Sequence, residues 1–138
     1  MRNNRPEQVV AVKSFCASTD ASIKAVADRN DPNIHLIVDR GFGDIKKLLR
    51  SFSFIAAHIP VVNAVLNEHF DCNGTEKIKN IRGKLLFIVP GLLDQVLDYG
   101  KKRNFTRDLH DNQPNSSIIE MEGQDHWSKW NAKTFNQV

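Results

Sequence analysis

Four places along the chain end a short apolar run in a cluster of small or polar residues, and those clusters hold the groups able to do chemistry. They are the turn at 14–18, with Ser14, Cys16 and Ser18; the turn at 39–43; the loop from Pro90 to Asp94; and the loop from Gly123 to His126. The types present are those of nucleophilic catalysis. An imidazole takes a proton, a carboxylate holds that imidazole in one tautomer, and a thiolate attacks when a histidine is close. Each group also has a plainer reading: Asp94 as a helix N-cap, His126 as a half-buried histidine beside Trp127, Cys16 as a small buried hydrophobe. What decides is whether the fold brings the clusters together.

The elements that would do so are legible from spacing. Val9-Val10-Ala11-Val12 reads as a buried strand entering the turn at 14–18. Thr19 or Asp20 can cap a helix in which Ile23, Val26 and Ala27 recur at helical spacing, until Asp31-Pro32-Asn33 stops it. Ile34 to Val38 is a second strand, closed by Asp39 to Gly43. Asp44 then caps a helix that puts Ile45, Leu48, Leu49, Phe52, Ile55 and Ala56 on one face before Pro60, and a shorter helical piece carries Val62, Val65, Leu66 and His69. Residues 71–83 form a polar connection with one helical turn around Glu76 to Asn80.

Lys84 to Val89 is the third strand, followed by a helix through about Arg103, a polar stretch at 104–115, and a fourth strand, Ser117 to Met121. A final helix is expected to carry Trp127, Trp130 and Phe135 on one side. Alternating strands and helices predict an α/β fold, a mostly parallel sheet of about four strands flanked by helices, in one domain over 1–138. In such sheets the loops at the carboxyl ends of the strands converge on one crevice, and all four clusters lie there.

Composition narrows the alternatives. The chain has 138 residues, 41% hydrophobic and 25% charged, which suits one ordinary soluble core. The net charge of +3 invites nucleic acid, but the basic residues are scattered. Lys46-Lys47 with Arg50, and Lys101-Lys102-Arg103, fall on expected solvated helix faces, whereas nucleic-acid binders cluster positive charge. Cys16 and Cys72 are too few for a disulfide framework and fit a reducing compartment. The first apolar stretch is too short for a signal peptide, and nothing approaches the roughly 20 apolar residues of a membrane span. A cytoplasmic location is therefore expected, with signal-less export left open.

GKLLFIVPGLLDQV followed about thirty residues later by SIIEMEGQDHW resembles the last two strands and loops of the α/β-hydrolase family. Gly91, Asp94 and Val96 match the setting of that family's acid, and Gly123 and His126 that of its histidine. The resemblance extends over roughly residues 7–135 and corresponds to the later half of the family fold, from the nucleophile strand onward. Where the family has Gly-x-Ser-x-Gly, this chain has Ser14-Phe15-Cys16-Ala17-Ser18, with both glycines and the serine replaced.

What the resemblance implies is a partial α/β-hydrolase-like fold with Cys16 as nucleophile, Asp94 as acid, His126 as base and the Ala17 N–H as oxyanion donor. Ser14 is an alternative nucleophile, and a shift of one residue would put Phe15 in that place and leave no nucleophile. The implied protein is an esterase-, lipase- or acyl-hydrolase-like enzyme acting on a small acyl or ester substrate, with no metal and no cofactor, truncated and with its activity open. The alternative is a non-catalytic, effector-like or regulatory module on the same scaffold. In either case the first strand would lack the neighbours it has in the family, leaving an open edge for a homo-oligomer or a partner chain.

Overall fold

The computed structural model describes residues 8–51, 60–61, 64, 74–91, 94–98, 104–113, 115–132 and 136. Strand β1 (Val10–Phe15) passes through a 3-10 turn (Cys16–Ser18) into helix α1 (Thr19–Arg29). There follow β2 (Ile34–Asp39), α2 (Ile45–Ser51), the short α3 (Gly74–Lys77) running into a 3-10 turn (Ile78–Asn80), β3 (Leu85–Pro90), α4 (Phe105–Asp111) and β4 (Ser117–Met121). The strands lie side by side in chain order, and every pair is parallel. The protein has the expected α/β architecture.

One face of the sheet buries Leu36, Val38, Leu85 and Phe87 against Ile23, Val26 and Ala27 of α1, Ile78, Ile81 and Leu109 of α4. Successive strand residues alternate faces, so Ile88, Ile119 and Met121, also buried, lie on the other side. A second apolar cluster, Phe42, Leu48, Leu97 and Phe105, forms at the carboxyl ends of the strands, with Cys16, Ile45 and Val96 packed against it.

Local chemistry explains the element ends. Asn30 stops α1 in the left-handed conformation, φ 49°, its N–H on the Ala27 carbonyl, a C-cap role asparagine tolerates better than most residues. Asp44 caps α2, one carboxylate oxygen accepting from the N–H groups of Lys46 and Lys47. Extension of that helix to Ala56, the piece at 62–69 apart from residue 64, and Cys72 lie outside the described residues.

Three expectations need correction. The stretch after Gly91 was expected to be helical through Arg103. Its described part is a single Asp94-capped turn, after which Asp98 pairs antiparallel with Asn104. The polar stretch beginning at Asn104 is instead helix α4: the Asn104 side chain caps it at the Thr106 N–H, and Phe105, Thr106 and Leu109 are buried. Polar composition hid a seven-residue helix whose apolar contacts are few.

Residues 126–131 form a turn and irregular backbone instead of a helix. The Asp125 carboxylate gathers the N–H groups of Trp127 and Ser128 and the Ser128 hydroxyl. The carbonyls that a helix would use are taken by Arg40. Trp127 is exposed, and Trp130 points its indole N–H to Asp39, 2.8 Å away.

Among the described residues β1 pairs only with β2, and Val9 and Val10 are exposed at its start. No helix among the described residues is long and apolar enough to cross a membrane.

Candidate active site

Cys16 is the first residue after β1, at the point where the chain turns into α1, and its φ is 47°. A left-handed backbone is uncommon for a residue with a Cβ and costs about 1–2 kcal/mol, so the surroundings must enforce it. The Ser18 hydroxyl does so in part, donating to the Phe15 carbonyl at 2.9 Å while accepting the Phe15 N–H at 3.0 Å. Serine at 18 thus braces the turn across a span that the family's glycine would leave bare. The structure puts Cys16, and not Phe15, at the turn.

Ser14 is not placed as a nucleophile. It is buried within β1, and its hydroxyl donates to the Ile37 carbonyl of β2 at 3.2 Å. Ala17 is the second residue of the 3-10 turn, immediately after Cys16, and is exposed. The first N–H groups of such a turn have no partner within it.

Asp94 and His126 meet. His126 Nδ1 lies 2.9 Å from Asp94 Oδ2, both side chains fully buried. The other Asp94 oxygen accepts from the Val96 and Leu97 N–H groups at 2.8 and 2.7 Å. Asp94 therefore caps the turn and pairs with the histidine at once: capping fixes the carboxylate, and the fixed carboxylate orients the imidazole. His126 is fully buried where half-burial was the plainer expectation, its ring 4.7 Å edge-on from Trp127 and 5.5 Å from Phe15.

Nε2, the second ring nitrogen, is buried and makes no hydrogen bond among the described residues. Buried polar atoms are rarely left in this state, and functional sites are one place where they are. Burial by itself lowers the His126 pKa. The hydrogen bond to Asp94 and the nearness of the Cys16 thiol outweigh it, raising the value from an ordinary 6.5 to about 9. The thiol is thus close enough to act on the imidazole, although Nε2 and sulfur are not in hydrogen-bonding geometry.

Backbone contacts hold the two loops in register. The Gly91 N–H donates to the Met121 carbonyl at 2.7 Å, tying the acid loop to the end of the strand that leads to His126. A Cβ on Gly91 would come within 2.5 Å of that carbonyl oxygen. Gly91→Ala is expected to cost about 1–3 kcal/mol of stability through backbone displacement. It should also slow alkylation of Cys16, because Asp94 rides on the displaced loop; denaturant unfolding and a thiol-labelling rate check the two effects. Gly123, with φ 66° and open space around it, turns the chain from β4 towards His126 and is suited by its backbone freedom.

The sequence reading gave no role to Asp39 or Arg40, which the structure places beside the histidine loop. Arg40 is buried, and its Nη1 donates to the carbonyls of Asp125, His126 and Ser128 at 3.3, 2.9 and 2.6 Å. Asp39 accepts from Arg40 Nε at 2.7 Å, from Lys13 Nζ at 3.1 Å and from the Trp130 indole. The usable signal was an acid–base dipeptide ending a buried strand at the carboxyl edge of the sheet. Among the described residues no three His, Cys, Asp or Glu side chains converge as a metal site.

The class that fold and site define is a parallel α/β sheet carrying a cysteine, a histidine and an aspartate at the carboxyl ends of its first, fourth and third strands. Comparison of the chain with protein-family models, curated proteins and solved structures finds no match in any of the three.

Proposed function

We propose that this chain is an α/β-hydrolase-like acyl hydrolase in which Cys16 is the nucleophile, His126 the proton carrier and Asp94 the residue that fixes it. The observation that carries the reading is a buried histidine, anchored at Nδ1 by Asp94 and unpartnered at Nε2, whose pKa is raised in part by the nearby Cys16, itself in left-handed backbone. The consecutive parallel strands, with the acid after the third and the histidine after the fourth, agree with what the family resemblance implies.

A histidine with a pKa near 9 is charged at neutral pH, a poor state for taking a proton from serine. It suits cysteine, whose reactive form is the thiolate. In the proposed cycle the Cys16 thiolate attacks an ester or thioester carbonyl, forming a carbon–sulfur bond and an oxyanion facing the Ala17 N–H. As the carbonyl re-forms, His126 Nε2 gives its proton to the departing alcohol or thiol. Water then attacks the thioester, His126 takes its proton, and the thiolate leaves with the carboxylic acid released. The apolar surroundings, with Phe15 and Trp127 exposed beside the histidine and Ile45, Val96 and Cys16 packed against one apolar cluster, favour an apolar acyl group.

The test is incubation with a p-nitrophenyl ester and mass analysis of the Cys16 peptide. An acyl adduct on Cys16 in the wild type that is lost in Cys16→Ala and slowed in His126→Ala supports the reading. A folded protein that forms no adduct refutes it.

The exposed outer edge of β1 favours a second reading, a module that binds a partner strand there. Association through this edge should disappear on Ala11→Pro, because the Val10 N–H is spent on the Asn33 carbonyl and strand alternation turns the Ala11 N–H outward, where proline removes an edge donor. Light scattering showing the same monomer for both proteins counts against it.

A further inference from the structure

We propose that Arg40 is a positioning residue for this site: its guanidinium holds the backbone of the His126 loop to the strand end beside Cys16, so that thiol and imidazole face each other. The inference rests on the reading of Cys16, Asp94 and His126 as one working set and adds a determinant outside it.

Several independent features converge on Arg40. Its side chain is buried, and one terminal nitrogen spends its hydrogens on carbonyls 125, 126 and 128, those of the turn that carries the histidine. The other edge of the guanidinium lies against Asp39, through Nε at 2.7 Å and Nη2 at 3.2 Å. Its Cζ lies over the Phe15 ring, 4.9 Å from the centroid, and the same ring lies 5.5 Å from the His126 ring. Phe15 is the residue immediately before Cys16. A single side chain therefore contacts the neighbour of the nucleophile on one side and the main chain of the base on the other.

The backbone agrees with this role. Arg40 has φ 49°, a left-handed conformation that an arginine adopts at a cost, and its N–H is fixed on the Ile88 carbonyl of β3 at 2.9 Å. The turn aims the side chain back over the sheet edge. Burying a cation is itself costly without a counter-charge. Asp39 provides one, and Asp39 is in turn engaged by Lys13 from β1 and Trp130 from the segment beyond His126. The cluster thus ties β1, β2 and the histidine loop at one point.

Arginine suits the position for a reason of shape. Its five donors sit in a rigid planar fork, so it can bind a carboxylate along one edge and carbonyls along another. Lysine has three donors on one atom and cannot span both. Arg40→Lys therefore keeps the charge and removes the span, which separates electrostatics from positioning.

The groups facing His126 are Asp94 from the loop after β3, Cys16 at the end of β1 and the aromatic rings of Phe15 and Trp127; Asp125 lies in its own loop. If Arg40 holds the loop, the histidine loses alignment with both Asp94 and Cys16 when the span is removed. Its titration midpoint in Arg40→Lys should then fall from about 9 towards 6.5, followed by imidazole NMR. Cys16 alkylation at neutral pH should slow by roughly 10–100-fold, the scale expected when reacting groups are displaced by about 1 Å. A merely structural residue would lower thermal stability and leave the midpoint where it was.

The experiment compares wild type, His126→Ala and Arg40→Lys, with circular dichroism to establish folding. Unchanged midpoint and alkylation profile in folded Arg40→Lys overturn the inference. Wild-type alkylation that is indifferent to His126→Ala overturns the catalytic reading itself, a distinguishable result. Should Arg40→Lys fail to fold, the Arg40 Nε resonance of the wild type decides the matter. It should shift as His126 titrates, and a resonance that stays fixed through that titration overturns the inference.

Discussion

If the proposed reading holds, Cys16→Ala abolishes acyl transfer, lowering it by about 10³-fold or more, since the proposed nucleophile and base act as a unit. His126→Ala should fall nearly as far. Cys16→Ser is the informative variant. An isosteric hydroxyl would be rescued by a neutral histidine, but His126 is held charged well above neutrality by Asp94 and the thiol. Part of that rise disappears with the sulfur, so serine activity should remain low at neutral pH and increase towards alkaline pH as the histidine gives up its proton. Steady-state rates with a p-nitrophenyl ester across pH check all three variants.

The second large effect is expected at Asp94. Asp94→Asn keeps the volume and an oxygen to cap residues 96 and 97, yet leaves the fully buried His126 without its counter-charge. Activity should drop by up to about 10⁴-fold, the loss seen when an orienting aspartate becomes an amide. Stability should respond with a defined sign. The folded-state pKa of His126 is raised, so its contribution is fully present below about 6.5 and is lost as pH rises through about 9. Wild-type stability should therefore decline across that window. The variant should be weaker by about 3–5 kcal/mol on the acid side, where a buried charge loses its partner, and should converge on the wild type at the alkaline end. Urea unfolding at a series of pH values measures the difference.

Much of the scaffold was written in local patterns. Ser117 to Met121 has the bounds read from its apolar run and β2 and β3 differ by one residue at one or both ends, whereas β1 runs on to Phe15, three residues past Val12, because its pairing with β2 continues through Lys13, Ser14 and Phe15. Asp94 and His126 were legible singly from local pattern and joined as acid and base only by the family resemblance, since nothing in residue spacing fixes a 2.9 Å contact across 32 positions. The failures have a common cause. Helix α4 is capped by Asn104 and buries few apolar groups, so composition concealed it. The segment after His126 has aromatic spacing suited to a helix, yet Asp125 and Arg40 compete for its N–H and carbonyl groups and win. Arg40 looked like a turn residue in Asp-Arg-Gly because its partners come from more than 80 positions away.

Cys16 shows the same lesson in reverse. Serine at both glycine positions of the resembled motif puts a Cβ where a tight turn leaves little room. The structure accommodates both serines, Ser14 by pointing its hydroxyl at β2 and Ser18 by closing the turn on Phe15. The left-handed residue is then the cysteine itself.

The most direct test of the Cys16–His126 pairing is the rate of iodoacetamide alkylation at Cys16 as a function of pH, in the wild type and in His126→Ala. With the imidazole charged beside the thiol, the wild type should alkylate roughly tenfold or more faster than the variant between about pH 6 and pH 8, the two converging once the histidine is neutral. Superimposable profiles in two folded proteins would contradict the pairing, leaving Cys16 as a packed thiol at the end of a strand.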